Sequence, residues 1–142
     1  MNIPEALELL KNDEPIVVRD MTFSPRGVDE VTLDTGESVF WIRGIEGMWL
    51  SIDPEGEEVW LFEDLEEELE PEDDTVVYSG EDHEFSYEAK ATILEEDGGT
   101  ILSFKDYEGP TGKIIRIMED ESTGDLSFAY GAQITEEELQ GA

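Results

Sequence analysis

The feature that most constrains the fold of this 142-residue chain is a regular succession of short alternating runs and turn signals. The turn segments contain Gly, Pro or Asp, which supply a positive φ or initiate turns, at residues 25–27, 34–36, 43–47 and 53–56. The runs between them occupy residues 16–18, 28–33, 38–42, 48–52 and 58–62. Turn signals about 8–12 residues apart are typical of an all-β sandwich or barrel.

The second half of the chain repeats this rhythm. Its strand-like runs are residues 75–78, 84–93, 100–104, 113–118 and 126–130, and its turns are 79–82, 97–99, 108–112 and 120–124. We therefore expect an all-β fold, mainly an antiparallel sandwich or barrel-like. Each half has an aromatic-bearing strand, at 49–52 and at 102–104, and the pattern leaves open whether the two halves are similar.

Helical signals are confined to the two ends of the chain. Asn2 can cap a short N-terminal helix in which Ile3, Leu7 and Leu10 share one apolar stripe. Near the other end, Thr135 and Glu138 have the spacing of a capping box, which predicts a short C-terminal helical turn.

Residues 63–74 form the most acidic stretch of the chain, with Leu65 and Leu69 as its apolar residues apart from Pro71. Neighbouring carboxylates repel one another on a helix, so we predict a solvated connector between two halves, held in place by the two leucines. The chain length fits one domain. The prediction is a single acidic β-rich domain over residues 1–142, with the acidic connector at 63–74.

The charge balance restricts the kinds of partner. The chain has 39 Asp and Glu against 8 Lys and Arg, a formal net charge of -31. Binding to phosphates requires clustered cations, so we expect no direct nucleic-acid ligand and no anionic membrane surface. The chain has no Cys. We expect no secretory signal, because no apolar run follows a basic start, and no membrane helix, because no apolar stretch approaches about 20 residues. We therefore expect a cytoplasmic protein without membrane insertion.

No residue pattern has the spacing of a catalytic or metal site. His83 is the single histidine, and we expect it at the surface on a strand edge rather than in catalysis. The serines lack a nucleophile-elbow context, and 39 acids make any one carboxylate pair uninformative. The acidic segments 53–58 and 119–121 do not match a calcium-loop pattern. We expect no enzyme, no catalytic or metal-binding residue and no cofactor.

Aromatic and cationic residues are the remaining candidates. Core packing is the simpler interpretation of the tryptophans, and an exposed aromatic patch rimmed by acid is the alternative. On that alternative, the possible interaction surface consists of Trp49, Trp60, Phe62, Glu66, Glu67, Asp73 and Asp74. Arg116 lies between two isoleucines and would face the opposite side of its strand, towards solvent or a carboxylate.

A succession of short segments resembles one known family. The segments are 28–33, which keeps Glu30 and Leu33 of a Trp-x-Glu-Tyr-x-Leu pattern, Trp-Leu-Ser at 49–51, a loose match at 80–85, Asp106-Tyr107 and Gly131. In this order they resemble the bacterial and archaeal domain-of-unknown-function family numbered four-one-seven-eight. The resemblance implies a β-rich domain with no established activity and suggests a protein-binding role in envelope stress.

Several functions are compatible with these observations. The first is a non-enzymatic protein-interaction domain that binds a protein partner with a cationic surface. The alternative is an acidic nucleic-acid mimic that occupies a DNA-binding protein, and a third is a surface adapted to a saline cytoplasm. An unrecognised enzyme is the fourth. The sequence leaves the partner, the oligomeric state and the source open.

Overall fold

The structure is a computed structural model that describes residues 1–95 and 98–142. One helix and twelve strands follow in chain order: α1 (Ile3–Lys11), β1 (Ile16–Val18), β2 (Met21–Phe23), β3 (Gly27–Leu33), β4 (Ser38–Arg43), β5 (Met48–Asp53), β6 (Glu58–Leu65), β7 (Thr75–Tyr78), β8 (Glu81–Glu95), β9 (Gly98–Glu108), β10 (Ile114–Asp120), β11 (Leu126–Ile134) and β12 (Leu139–Gly141). A 3-10 turn, Glu136–Glu138, precedes β12.

Two four-stranded antiparallel meanders build a closed barrel from the described residues. The first meander is β3-β4-β5-β6 and the second is β8-β9-β10-β11. The last strands of the meanders pair with each other, β6 with β11, and the first strands pair through Val31↔Ile93 to Leu33↔Ala91. The prediction of an all-β antiparallel fold is confirmed, with closure into an eight-stranded barrel.

Alternation along the barrel strands separates an inner and an outer apolar face. The inner face includes Val31, Trp41, Trp49 and Phe62 together with residues of the second meander. The outer face of the first meander packs against α1 and a separate sheet in which β1 lies between β2 and β12. The outer face of the second meander carries Tyr107 and Ile115.

The N-terminal helix forms as predicted. The Asn2 side chain accepts a hydrogen bond from the Glu5 N–H at 2.8 Å, which satisfies one of the free donors of the first turn. The buried residues of α1 are those of the predicted stripe together with Ala6. The predicted C-terminal turn is also present, and the Glu138 carboxylate accepts from the Thr135 N–H at 3.1 Å. Arg19, hydrogen-bonded to Glu138, is the main cause that lowers the pKa of this carboxyl.

Residues 66–74 connect β6 to β7 along the outside of the barrel. Leu65 and Leu69 pack beside Val76, Tyr107 and Ile115, while Glu66, Glu67, Asp73 and Asp74 are exposed. Two leucines therefore hold a strongly charged segment against the second meander.

Several element boundaries differ from those predicted. β2 and β12 were not predicted, and β9 and β11 are longer than their predicted runs. Ser79 and Gly80 make the predicted turn with positive φ, but β8 starts directly after them at Glu81. The predicted turn at 97–99 includes Asp97, which lies outside the described residues.

Candidate functional site

One end of the barrel opens into a cavity of about 370 Å³, which we call the barrel mouth. It lies where the β3–β4, β5–β6 and β9–β10 connections meet, because its lining residues come from the strand ends beside them. The residues lining the barrel mouth are Leu33, Glu37, Val39, Trp41, Ser51, Asp53, Glu58, Trp60, Ser86, Tyr87, Phe104, Asp106, Glu108, Ile114 and Arg116.

Aromatic side chains form much of the wall. Among the described residues of the lining, Trp41, Trp60, Tyr87 and Phe104 come from four different strands. Trp41 and Phe104 are buried with ring centroids 6.3 Å apart, whereas Tyr87 is 37% exposed. A register shift in the β8–β9 pairing between Phe85 and Tyr87 changes the alternation of β8 at this point. The wall is therefore apolar at depth and accessible towards the opening.

A buried ion pair lies within the cavity lining. Arg116 and Asp106 are direct cross-strand neighbours on β10 and β9, and they are 8% and 5% exposed. The guanidinium Nε donates to Asp106 Oδ1 at 2.8 Å, and Nη2 donates to Oδ2 at 3.0 Å. The guanidinium carbon lies 4.7 Å from the Phe62 ring centroid and 4.1 Å from that of Phe104. Carboxylate and rings together fix the position of the cation.

Four further carboxylates of the lining surround the opening, and we call them the rim carboxylates: Glu37, Asp53, Glu58 and Glu108. Glu37, Glu58 and Glu108 are exposed and Asp53 is partly exposed, and no ion pair involves any of these four within residues 1–95 and 98–142. Burial raises the pKa of the Tyr87 hydroxyl, a hydrogen bond with Thr35 opposes that rise, and Glu37, Asp34 and Asp106 raise the pKa further through their charges. The potential at the opening is therefore negative.

The seven residues of the possible interaction surface lie in three places. Trp49 and Phe62 are buried inside the barrel, with rings stacked 4.3 Å apart, so they are not part of an exposed patch. Trp60 is partly exposed and lines the barrel mouth. The four acids lie on the outer connector and are absent from the mouth lining. The structure thus brings only Trp60 of this set into the cavity.

The prediction of a surface position for His83 is wrong. Its side chain is 1% exposed, because β7 pairs with this end of β8 and the rings of Tyr78 and Tyr130 pack against it. Nδ1 lies 3.0 Å from the Glu81 carbonyl oxygen, and Nε2 has no hydrogen-bond partner in the described part of the chain. A side chain on Gly109 would collide with this imidazole, since a Cβ there would lie 2.7 Å from Nε2.

In the described ranges, no group of three or more His, Asp and Glu side chains is arranged to hold a metal ion. Over the same ranges, no helix is long and apolar enough to span a membrane.

The sequence predicted no cavity, although Trp60 and Arg116, two of the residues that line it, were considered as candidates. The prediction that Arg116 faces away from its isoleucine neighbours is confirmed, and of the two expected surroundings the structure has the carboxylate. Asp106 and Tyr87 were not singled out as site residues. For Asp106 the available signal was its alternation with the buried Phe104, which places both side chains on one face of β9.

Comparison of the chain with models of protein families, with curated proteins and with solved structures gave no match. The resemblance to family four-one-seven-eight therefore stays a prediction.

Proposed function

We propose that this chain is a non-enzymatic, cytoplasmic protein-interaction domain whose barrel mouth receives a cationic group of a partner protein. The observation that carries the proposal is the combination, in one cavity, of aromatic walls with a rim of unpaired carboxylates. Either feature alone has a simpler explanation, since aromatic residues commonly fill cores and this chain is acidic almost everywhere.

The chemistry of the cavity favours an organic cation with an apolar stem. An ammonium or guanidinium group is attracted to the faces of Trp and Tyr rings, by about 0.5–2 kcal/mol depending on desolvation. Trp60 and Tyr87 supply such rings near the opening, and the surrounding carboxylates add Coulomb attraction. Lys and Arg side chains combine a charged head with an aliphatic stem that packs on apolar surface.

The size of the cavity limits what enters. A volume of about 370 Å³ lies at the lower end of the range typical of small-ligand sites. It accommodates a side chain or a short peptide segment, and the rest of a protein partner would stay outside. The formal charge of -31 would steer a cationic partner towards the surface, and this contribution weakens as salt is added.

Titration with a Lys-rich peptide tests the proposal, with two variants that remove the same number of charges. Glu37→Gln with Glu58→Gln neutralises the rim, and Glu66→Gln with Glu67→Gln neutralises exposed acids on the connector. We expect the rim variant to weaken binding about three- to tenfold, because each exposed charge pair contributes under about 1 kcal/mol. The connector variant should change binding less.

Equal losses in the two variants would show that the peptide responds to overall charge and not to the barrel mouth. A loss confined to the connector variant would place the interaction on the outer surface. Trp60→Ala supplies an uncharged check, since it removes an aromatic wall without altering the net charge, and it should weaken binding at every salt concentration.

A further inference from the structure

Arg116 has hydrogen-bonding capacity that the fold does not use. Nε and Nη2 donate to Asp106, and no hydrogen bond is formed by Nη1 within the described residues. Nη1 is also not completely enclosed by protein atoms, because the one enclosed polar side-chain atom without a partner in the described residues is His83 Nε2. Arg116 belongs to the lining of the barrel mouth. The unused edge of the guanidinium is therefore accessible from the cavity.

Stability alone does not account for this arrangement. Placing an ion pair in a barrel interior costs desolvation of both charges, and apolar residues of similar volume are often as stable or more stable. What the pair supplies is orientation. The contacts with Asp106, Phe62 and Phe104 leave the guanidinium little freedom, so its remaining N–H groups have a fixed direction.

The charges around Arg116 decide which acceptor fits it. Asp106 already compensates the guanidinium, and the other charged groups of the lining are the carboxylates of Glu37, Asp53, Glu58 and Glu108. A carboxylate ligand would gain one hydrogen-bonded contact and meet a net negative surrounding, which is unfavourable. A neutral carbonyl oxygen gains the charge-assisted hydrogen bond without that repulsion.

We propose that the barrel mouth recognises an amide carbonyl together with a cation, the carbonyl oxygen accepting from Arg116 Nη1 while the cation lies between Trp60, Tyr87 and the rim carboxylates. This inference rests on the proposed function and deepens it. A basic peptide offers both groups within one residue, because a lysine carries its ammonium about four methylenes from the backbone amides. The occupant is thus a short basic segment of a partner protein, and an isolated amine is a poorer fit.

Three probes separate the two parts of the occupant. Nα-acetyl-lysine N-methylamide carries amide and ammonium, n-pentylammonium reproduces the lysine side chain without amides, and Nα-acetyl-norleucine N-methylamide has the amides without the charge. Binding can be followed by NMR through the indole N–H resonances of the three tryptophans. Trp60 reports on the mouth, and Trp49, whose indole N–H donates to Asp64 at 2.9 Å, is an internal reference outside the lining.

We expect the lysine amide to bind about tenfold or more tightly than n-pentylammonium, because a hydrogen bond from a charged donor is gained. In Arg116→Lys, which keeps the charge opposite Asp106 but loses the planar fork, this ratio should fall towards one. The ratio is the diagnostic quantity, since it is insensitive to a uniform loss of affinity. Should Arg116→Lys fail to fold, the comparison of probes on the unmodified chain decides.

The possible results distinguish the role of Arg116 as amide donor from the cation preference of the barrel mouth. Equal affinities of the lysine amide and n-pentylammonium, or an unchanged ratio in Arg116→Lys, would overturn the role of Arg116 and leave the cation-binding mouth intact. Equal affinities of the lysine and norleucine amides would overturn the proposed cation preference while keeping Arg116 as the amide donor. If none of the three probes shifts the indole N–H resonance of Trp60, both the role of Arg116 and the cation-binding mouth would be overturned.

Discussion

At the scale of single residues, Arg116 and Asp106 form an ion pair that is buried in the barrel interior. Removing one partner leaves the other charge buried without compensation, so we expect Asp106→Asn to lower the free energy of unfolding by about 3–5 kcal/mol. The double change Asp106→Leu with Arg116→Met removes both charges and should cost less than Asp106→Asn. Urea denaturation monitored by tryptophan fluorescence measures the free energy of unfolding of the unmodified chain, of Asp106→Asn and of the double variant. A double variant that is as unstable as Asp106→Asn, or less stable than it, would contradict this account.

The same pair shows how far single residues can be predicted from sequence. Alternation alone places the Arg116 side chain opposite Ile115 and Ile117, because it depends only on the local backbone. Its partner depends on the β9–β10 register, in which Arg116 lies directly across from Asp106, and a one-residue slip would exchange the faces. His83 was mispredicted for a related reason, since its burial comes from β7 pairing and from packing by Tyr130.

At the scale of secondary-structure elements, α1 covers the outer face of the first meander with one stripe of side chains. Leu10 is almost completely buried in that cluster, whereas its neighbour Leu9 is only partly buried. We expect Leu10→Ala to destabilise the protein by about 2–5 kcal/mol and Leu9→Ala by clearly less, because only the first leaves a cavity. The two changes are chemically identical and share one helix, so helix propensity cancels in the comparison. Similar losses of stability in thermal unfolding would mean that α1 is not held by this stripe.

Elements that carry their own local signals were predictable, and those created by pairing were not. α1 has a cap and an apolar stripe within eleven residues, and both are present in the structure. β12 has only three residues, and its extended conformation depends on pairing with β1 through Val18↔Leu139. The bulge of β8 beside Tyr87 likewise depends on β9, which is why the mouth residue Tyr87 was not identified from sequence.

At the scale of the whole molecule, closure of the barrel is the feature that local patterns left undecided. Strand rhythm is the same in a sandwich and a barrel, so the distinction depends on whether β3 pairs with β8. That pairing joins Val31 to Ile93, residues far apart in the chain, and no short-range signal specifies it. Closure is also what creates the candidate site, because the barrel mouth collects residues from both meanders.

The net charge of -31 predicts how the stability of the whole molecule responds to salt. Self-repulsion acts over about 30 Å at 10 mM ionic strength and only about 3 Å at 1 M, so urea midpoints should rise as NaCl is added over this range. A variant with fewer charges tests this cause. It replaces the exposed acids Glu66, Glu67, Asp73 and Asp74, which lie outside the mouth lining, with Gln or Asn. It should be more stable than the unmodified chain at 10 mM, with the difference vanishing at 1 M. A difference that persists at 1 M, or midpoints independent of salt, would show that local contacts of the connector and not long-range repulsion set the stability.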